Sequence, residues 1–476
     1  MLRIMTTISA VQVTITVIYL VRTKIISLLV GPEGYGIISV IDQAVQWMTY
    51  LSTLSLPVIA LKWMAQAVDE GTASVRATYG ALVRIVWIFA GTGCTVGLIV
   101  TLGHASVLPA ALRPYRGLLA LALLSVPAFA LQQFCTNVLA GMQRFYASLW
   151  VSFGVAVGLA VAAPVGILLG RLTGLYIANG LIATGIIVAV LTLLHRRYGL
   201  SWGRSEGGIR VFLRRNPRVA RFVGVDFLRL TLYPFSYLVV RYLTLAHHGA
   251  ASAGYLHADL AIADSLTVVL GLANSLYLMA ILNRKSSIEV KARAVLDFQE
   301  RLAVGLGILA MPLVLFPETV LTVLFSRSFL PAGADLFLFV MAQCIMLWTG
   351  VYQSFLVALD DYGVYGMLVT IGHLSRALLA YPLIRMYGIR GAGVAFLIAA
   401  LLMLVIGGIR MHTLRVLYGR YRPHLLMGYV VLGTGCMGAL RNAGVDTILP
   451  GPLSSGLVYG LFLIGMIGLW TATRSR

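Results

Sequence analysis

Long apolar runs separated by short polar connections follow one another along the chain. The runs are continuously apolar rather than alternating, which favours membrane-spanning helices over the strands of a β-barrel. Each run approaches or exceeds the roughly 20 apolar residues that a spanning helix needs. We therefore predict an all-α polytopic membrane protein with about 14 transmembrane helices. The predicted spans are 7–30, 36–60, 77–101, 117–139, 148–169, 174–194, 220–246, 253–282, 300–325, 334–358, 365–384, 391–410, 424–441 and 453–472.

The composition agrees with this pattern. Of the 476 residues, 59% are hydrophobic and 11% are charged, whereas soluble domains are about 25% charged. The mean hydropathy is +0.91. The four cysteines lie within apolar runs and form no CxxC pair, so we expect four buried, unpaired thiols and no zinc site.

Lysine and arginine fall mainly in alternate connections. By the positive-inside rule, about 23 basic residues on one side against about 7 on the other place both termini in the cytoplasm. The net charge of +20 then reflects membrane orientation, and nucleic-acid binding is disfavoured. We expect a multi-pass membrane protein with both termini on the cytoplasmic side.

Three sequence features recur at a nearly constant offset. Gly34-Tyr35 matches Gly254-Tyr255, the connection 141–145 matches 359–362, and the turn 170–174 matches 388–391. An even number of spans per copy gives two parallel repeats, an arrangement typical of alternating-access transporters with a central cavity. The predicted organisation is an N-lobe of six helices at 1–195, a basic cytoplasmic connection at 196–219, a pseudo-symmetric six-helix C-lobe at 220–413, and two extra helices at 414–476.

Charged side chains inside the spans are the candidate functional residues, because each costs roughly 2.5–3.5 kcal/mol to insert unless it faces a cavity or a partner. Arginine matches phosphate oxygens in bidentate fashion, so the basic groups predict an anion site. The candidate anion-site residues are Arg22, Lys24, Arg84, Arg241 and Arg376. The candidate coupling or ion-pair residues are Asp42, Asp259 and Asp264.

Structural roles for these charges remain open alternatives. Ion pairs Arg22–Asp42 and Arg241–Asp264 would fix helix packing instead of binding a ligand. Lys24 could snorkel to the outer interface. We predict a local ion pair between Asp226 and Arg229, which are neighbours on one helical turn.

Enzyme signatures are missing from the sequence. It contains no Gly-Lys-Ser/Thr of a P-loop, no HExxH and no GxSxG. We therefore expect no enzymatic activity, no cofactor and no metal.

Two segments resemble a known family. The stretch 21–36, VRTKIISLLVGPEGYG, is similar to the first hairpin of Wzx-type oligosaccharide flippases. The stretch 387–393, YGIRGAG, is similar to a turn shared across the superfamily of multidrug/oligosaccharidyl-lipid/polysaccharide exporters. Arg22 and Lys24 fall within the first motif, and Arg241 is added through the internal repeat.

The resemblance implies that the chain flips a polyprenyl-pyrophosphate-linked oligosaccharide from the cytoplasmic to the periplasmic leaflet for surface polysaccharide (O-antigen, lipopolysaccharide) assembly. The implied partners are this lipid-linked sugar, membrane lipids and a polysaccharide polymerase complex. The nearest alternative is a drug/cation antiporter of the same superfamily. Further alternatives are a major-facilitator-type transporter, a membrane-embedded glycosyltransferase or polymerase, and a scaffold of polysaccharide assembly that transports nothing.

Overall fold

Helices account for nearly all of the structure, a computed structural model that describes residues 2–103, 108–200, 217–273, 278, 282, 287–414, 422–442 and 452–474. Residues 201–216 of the predicted basic connection lie outside this described part. The helices are α1 Leu2–Thr53, α2 Leu56–Glu70, α3 Thr72–Gly103, α4 Arg116–Leu123, α5 Val126–Gly141, α6 Phe145–Tyr198, α7 Pro217–Ala273, α8 Ile288–Leu315, α9 Pro317–Leu324, α10 Leu336–Ala358, α11 Tyr362–Tyr387, α12 Ile389–Thr413, α13 Arg422–Asn442 and α14 Pro452–Arg474. Short 3-10 turns at Ala110–Tyr115 and Arg327–Ala334 precede α4 and α10.

Three helices are much longer than a bilayer requires, and each contains a sharp kink. At about 1.5 Å per residue, the 52 residues of α1 would span about 78 Å if straight, against a hydrocarbon core of about 30 Å. The kinks fall at Gly31 in α1, at Gly170 and Arg171 in α6, and at Gly249 in α7. These are the turns that the sequence places between spans 1 and 2, 5 and 6, and 7 and 8. Each long helix therefore supplies two predicted spans.

The described helices confirm an all-α polytopic membrane fold. Eight of them are long and apolar enough to cross a membrane, and nine if the bent pair α4 and α5 is one span. Several predicted spans differ from the observed helices. The predicted spans 117–139 and 300–325 are each divided, between α4 and α5 and between α8 and α9. The predicted span 36–60 breaks at Leu54 and Ser55, which have positive φ, and a separate helix continues to Glu70. The predicted span at 300 begins twelve residues earlier, where Ser287 caps the helix by accepting a hydrogen bond from the Val290 amide.

The chain divides into two compact units, Met1–Leu238 and Val239–Arg476. The core of the first unit lies between α2, α3, α5 and α6 and includes the fully buried Met64, Leu82 and Phe134. In the second unit α12 packs against α10 and α11, while α13 packs against α8 and α10. The predicted lobe limits at 195, 220 and 413 remain a prediction.

Three of the four cysteines are buried as expected, but Cys436 is exposed on α13. The expectation failed there because a helix facing lipid can be apolar on its exposed side. The predicted local ion pair is confirmed, with Arg229 Nη2 lying 2.9 Å from Asp226 Oδ1.

Candidate functional site

A cavity of about 470 Å³ lies within the first unit. Its walls come from both segments of α1, from α4 and α5, and from both segments of α6. The kinks at Gly31 and Arg171 fold each long helix back on itself, so that residues distant in sequence face one space. The volume falls within the roughly 300–1,000 Å³ typical of small-molecule pockets.

Polar side chains dominate the lining of this cavity. The amides are Gln46, Gln132, Gln133 and Asn179, and they are joined by hydroxyls and phenols from Tyr19, Thr49, Tyr50, Ser125, Thr136 and Tyr176. An apolar wall would suffice for helix packing in a bilayer. A wall of amides and hydroxyls instead offers donors and acceptors to a polar ligand.

Arg22 and Asn179 carry buried polar atoms that lack partners. Within the described residues, neither Nε of Arg22 nor Oδ1 of Asn179 makes a hydrogen bond. Leaving a buried polar atom unsatisfied typically costs about 1–3 kcal/mol. Because both side chains line the cavity, an anionic or acceptor group on a ligand would satisfy the arginine, and a hydroxyl would satisfy the amide oxygen.

Asp42 lies in the same cavity and accepts a hydrogen bond from the Tyr176 hydroxyl at 3.2 Å. The structure therefore brings Arg22 and Asp42 together, as their positions on either side of the first turn predicted. This arrangement is required by both the anion-site and the ion-pair hypotheses. The role of the two residues stays a prediction.

The other two basic candidates of the first unit are not among the residues that line the cavity. Lys24 is half-buried on α1, two residues after Arg22, and Arg84 is exposed on α3. Their predicted part in an anion site stays untested.

The charged candidates of the second unit are more deeply buried. Arg376 is fully buried on α11, where its guanidinium carbon lies 4.1 Å from the centre of the Phe396 ring and Nη2 lies 3.0 Å from Met346 Sδ. Arg241 and Asp259, both on α7, are also buried. Asp264 is half-buried on the same helix. Both carboxylate oxygens of Asp259 lack a hydrogen-bond partner in the described part of the chain.

The kinks offer a second way to align the acidic residues of the two units. Asp42 lies 11 residues after the kink at Gly31, and Asp259 lies 10 after the kink at Gly249, whereas Asp264 lies 15 after it. Counted along the helix from the kink, Asp259 is a closer match to Asp42 than Asp264 is. The pairing of Arg241 with Asp264 stays a prediction.

Sequence reasoning missed the uncharged part of the cavity. Gln132, Gln133 and Thr136 interrupt an otherwise apolar span and share one side of α5, and Asn179 follows Tyr176 by three residues on α6. Weighing intramembrane amides as well as charges would have identified these positions.

Comparison with solved structures defines the class of fold. The chain is similar to an inward-facing conformation of a multidrug resistance MATE family transporter of the MOP superfamily, with a TM-score of 0.67 and 12% identity over 86% of this chain and 99% of that one. An outward-facing conformation described in the same words gives 0.60 and 12%, over 89% and 96%. A ligand complex of the MATE multidrug transporter DinF-BH gives 0.58 and 14%, over 88% and 96%.

No protein-family model and no curated protein matches the sequence. At these identities the structural similarity shows the fold: the chain has the two-lobed, polytopic all-α fold of MATE transporters.

Proposed function

We propose that the chain is an alternating-access transporter that flips a polyprenyl-pyrophosphate-linked oligosaccharide across the bacterial inner membrane, from the cytoplasmic to the periplasmic leaflet, with both termini in the cytoplasm. The observation that carries the proposal is the amide-rich cavity of the first unit, in which Arg22 Nε has no acceptor within the described residues. No catalytic step and no cofactor enter the proposal. A polysaccharide polymerase is the proposed partner that consumes the product.

The chemistry of such a substrate fits the two kinds of group in this cavity. A guanidinium binds phosphate oxygens, while amides and phenols exchange hydrogen bonds with sugar hydroxyls. The polar head cannot cross hydrocarbon unaided, whereas the polyprenyl tail need not leave it. An inside-negative membrane potential favours outward movement of an anion by about 2.3 kcal/mol per charge and 100 mV.

A leaflet assay in cells that lack the gene tests this proposal. Lipid-linked oligosaccharide is labelled by an external glycan-modifying enzyme after re-expression of wild type, Arg22→Gln or Arg22→Lys. Arg116→Gln is the matched control, because Arg116 is an exposed arginine of the same unit that does not line the cavity. Membrane levels of each variant are measured alongside.

We expect cells without the gene to accumulate intact lipid-linked units that the enzyme cannot reach. Wild type and Arg116→Gln should restore labelling, and Arg22→Gln should reduce the initial rate at least about tenfold, because a charge-assisted hydrogen bond to phosphate contributes about 1.4 kcal/mol or more. Arg22→Lys should recover part of the rate. Normal labelling in the absence of the gene would refute flipping.

A drug/cation antiporter is the second candidate, and Asp42 is the observation that favours it. A carboxylate in a polar cavity can bind a cation or exchange it for a proton, and the similar solved structures include multidrug transporters. Efflux of a cationic dye from cells separates the candidates. The antiporter would replace the flippase as the proposed function if Asp42→Asn abolished dye export, Arg22→Gln kept it, and cells without the gene showed normal glycan labelling.

A further inference from the structure

Three arginines meet at one end of the first unit. The guanidinium carbons of Arg144 and Arg197 lie 5.9 and 6.0 Å from the centre of the Tyr198 ring. A Cβ placed on the next residue, Gly199, would lie 2.9 Å from Nη2 of Arg76, so that guanidinium lies against the end of α6. The cluster joins the start of α3, the turn between α5 and α6, and the C-terminus of α6.

None of these three arginines forms an ion pair with a carboxylate in the described part of the chain. All three are exposed. The C-terminal carbonyls of α6 attract cations and account for part of the arrangement. They supply about half a negative charge against three positive ones, so they do not neutralise the cluster.

The matching turn of the second unit is neutralised instead. Gln143 and Asp360 occupy the same place in the two units, with φ of 58° and 57°. The residue after Gln143 is Arg144, whereas the residue after Asp360 is Asp361, whose carboxylate lies 2.7 Å from Nη2 of Arg410. The same backbone therefore carries an ion pair in one unit and unbalanced arginines in the other.

Helix stability does not explain Arg144. This residue is the N-cap of α6 and its side chain makes no capping hydrogen bond, whereas Asp361 caps α11 by accepting from the Val364 amide. Aspartate is among the best N-cap residues, and a cation at a helix N-terminus opposes the helix dipole. Arg144 thus costs local stability, which favours a role in binding.

Exposed aromatic side chains identify the level of the cluster in the membrane. Phe145, Tyr146 and Trp150 follow Arg144 on α6 and are 42%, 51% and 69% exposed. Aromatic residues of this kind concentrate at the membrane–water interface, at the level of the lipid headgroups. At that level, the anion closest to the arginines is the phosphate of a lipid headgroup.

We propose that Arg76, Arg144 and Arg197 form a binding site for a lipid headgroup that carries a phosphate and a net negative charge, with the Tyr198 ring close to two of the guanidiniums. The site is separate from the cavity that contains Arg22, since none of its residues lines that cavity. The inference does not depend on the cargo proposed above, because bulk anionic lipid and lipid-linked substrate share the phosphate that the arginines recognise.

Native mass spectrometry of the purified full chain tests the site. Dioleoyl phosphatidylglycerol and dioleoyl phosphatidylcholine are titrated against wild type, the triple variant Arg76→Gln/Arg144→Gln/Arg197→Gln, and the corresponding triple lysine variant. Arg327→Gln is the control, as an exposed arginine of the second unit outside the cluster. Arg144→Asp is added because it should bind lipid less but improve the helix cap.

We expect wild type and Arg327→Gln to prefer phosphatidylglycerol. Each arginine near the headgroups should contribute about fivefold to this affinity before screening, so the triple glutamine variant should bind phosphatidylglycerol at least about tenfold more weakly. Phosphatidylcholine binding should not change. The lysine variant should keep most of the preference, and Arg144→Asp should lose affinity while its melting temperature stays the same or rises, which excludes misfolding as the cause.

Equal affinity of wild type and the triple glutamine variant for phosphatidylglycerol would overturn the proposal. So would equal affinity of wild type for the two lipids. Displacement of phosphatidylglycerol by millimolar inorganic phosphate would make free phosphate the ligand and overturn the lipid headgroup. None of these outcomes affects the leaflet assay, so this proposal and the flippase can fail separately.

Discussion

The two units share a backbone plan but differ in where they put polar groups. Non-helical or left-handed residues recur at a nearly constant offset in the sequence: Gly31 with Gly249, Gln143 with Asp360, and Arg171 with Gly388. The helices after the second turn, which begin at Phe145 and Tyr362, keep the same offset. Because these turns fix where each helix reverses, the architecture repeats although few residues are identical.

Matching positions show the chemical difference. In the first unit, Leu159 and Asn179 line the polar cavity. Their counterparts at the same offset in the second unit are Arg376 and Phe396, which stack on one another in a buried contact. One backbone thus surrounds an open polar space in the first unit and a closed cation–π contact in the second, so pseudo-symmetry of the chain does not imply two equivalent binding sites.

The hairpin glycines provide the largest expected effect. A Cβ on Gly174 would overlap the carbonyl oxygen of Gly166, and a Cβ on Gly391 would overlap that of Leu383. Gly174→Ala and Gly391→Ala should each lower the free energy of unfolding by about 3 kcal/mol, measured by thermal unfolding in detergent. Gly154→Ala, which has no neighbour within 4 Å, should be neutral or stabilising. A loss in only one hairpin would contradict the shared plan.

The paired positions Asn179 and Phe396 test the chemical difference directly. Phe396→Leu should destabilise the protein by roughly 2 kcal/mol, because a desolvated cation–π contact with Arg376 is lost. Asn179→Leu should leave the melting temperature unchanged while lowering the transport rate, since its amide oxygen has no partner in the described structure. An equal loss of melting temperature in both variants would indicate that Asn179 also has a structural role. No loss in either variant would indicate that the cation–π contact does not stabilise the second unit.

The helix caps next to the matching turns should respond with opposite signs. Arg144→Asp introduces the cap that Asp361 provides in the second unit, and should stabilise α6 by about 1 kcal/mol. Asp361→Arg should destabilise α11 by more than this, because it removes the cap and also places a second cation beside Arg410. Melting temperatures of the two variants, compared with wild type, check both signs. Destabilisation by Arg144→Asp would show that the arginine stabilises the turn.

The smallest expected effect concerns the ion pair of the second unit. Asp361 and Arg410 retain 20% and 35% exposure, so solvent screens their attraction. A double-mutant cycle with Asp361→Asn and Arg410→Gln should give a coupling energy of about 0.5 kcal/mol, and less at high salt. The matching cycle with Arg144→Gln and Arg197→Gln should give zero or a repulsive coupling. An attractive coupling there would contradict unbalanced charge in the cluster.

Much of the fold was predictable because hydropathy acts locally. A helix in lipid satisfies its own backbone hydrogen bonds, so each apolar run of sufficient length predicts a helix without knowledge of its neighbours. The breaks at Leu54–Ser55, between α4 and α5 and between α8 and α9 were not predicted, although a proline stands in the first two positions of each following helix. Proline is common in membrane helices, so it does not show by itself whether a span bends, breaks or continues.

The sequence by itself determined that the chain is an all-helical membrane protein built on a repeated plan, and it singled out Arg22 and Asp42 as costly intramembrane charges. Only the tertiary structure decided that these two share a cavity with Gln132, Tyr176 and Asn179. The reason is physical. Insertion cost depends on one residue and its helix, whereas a cavity depends on how several helical segments converge, and that convergence is set by kinks and by packing between residues far apart in the sequence.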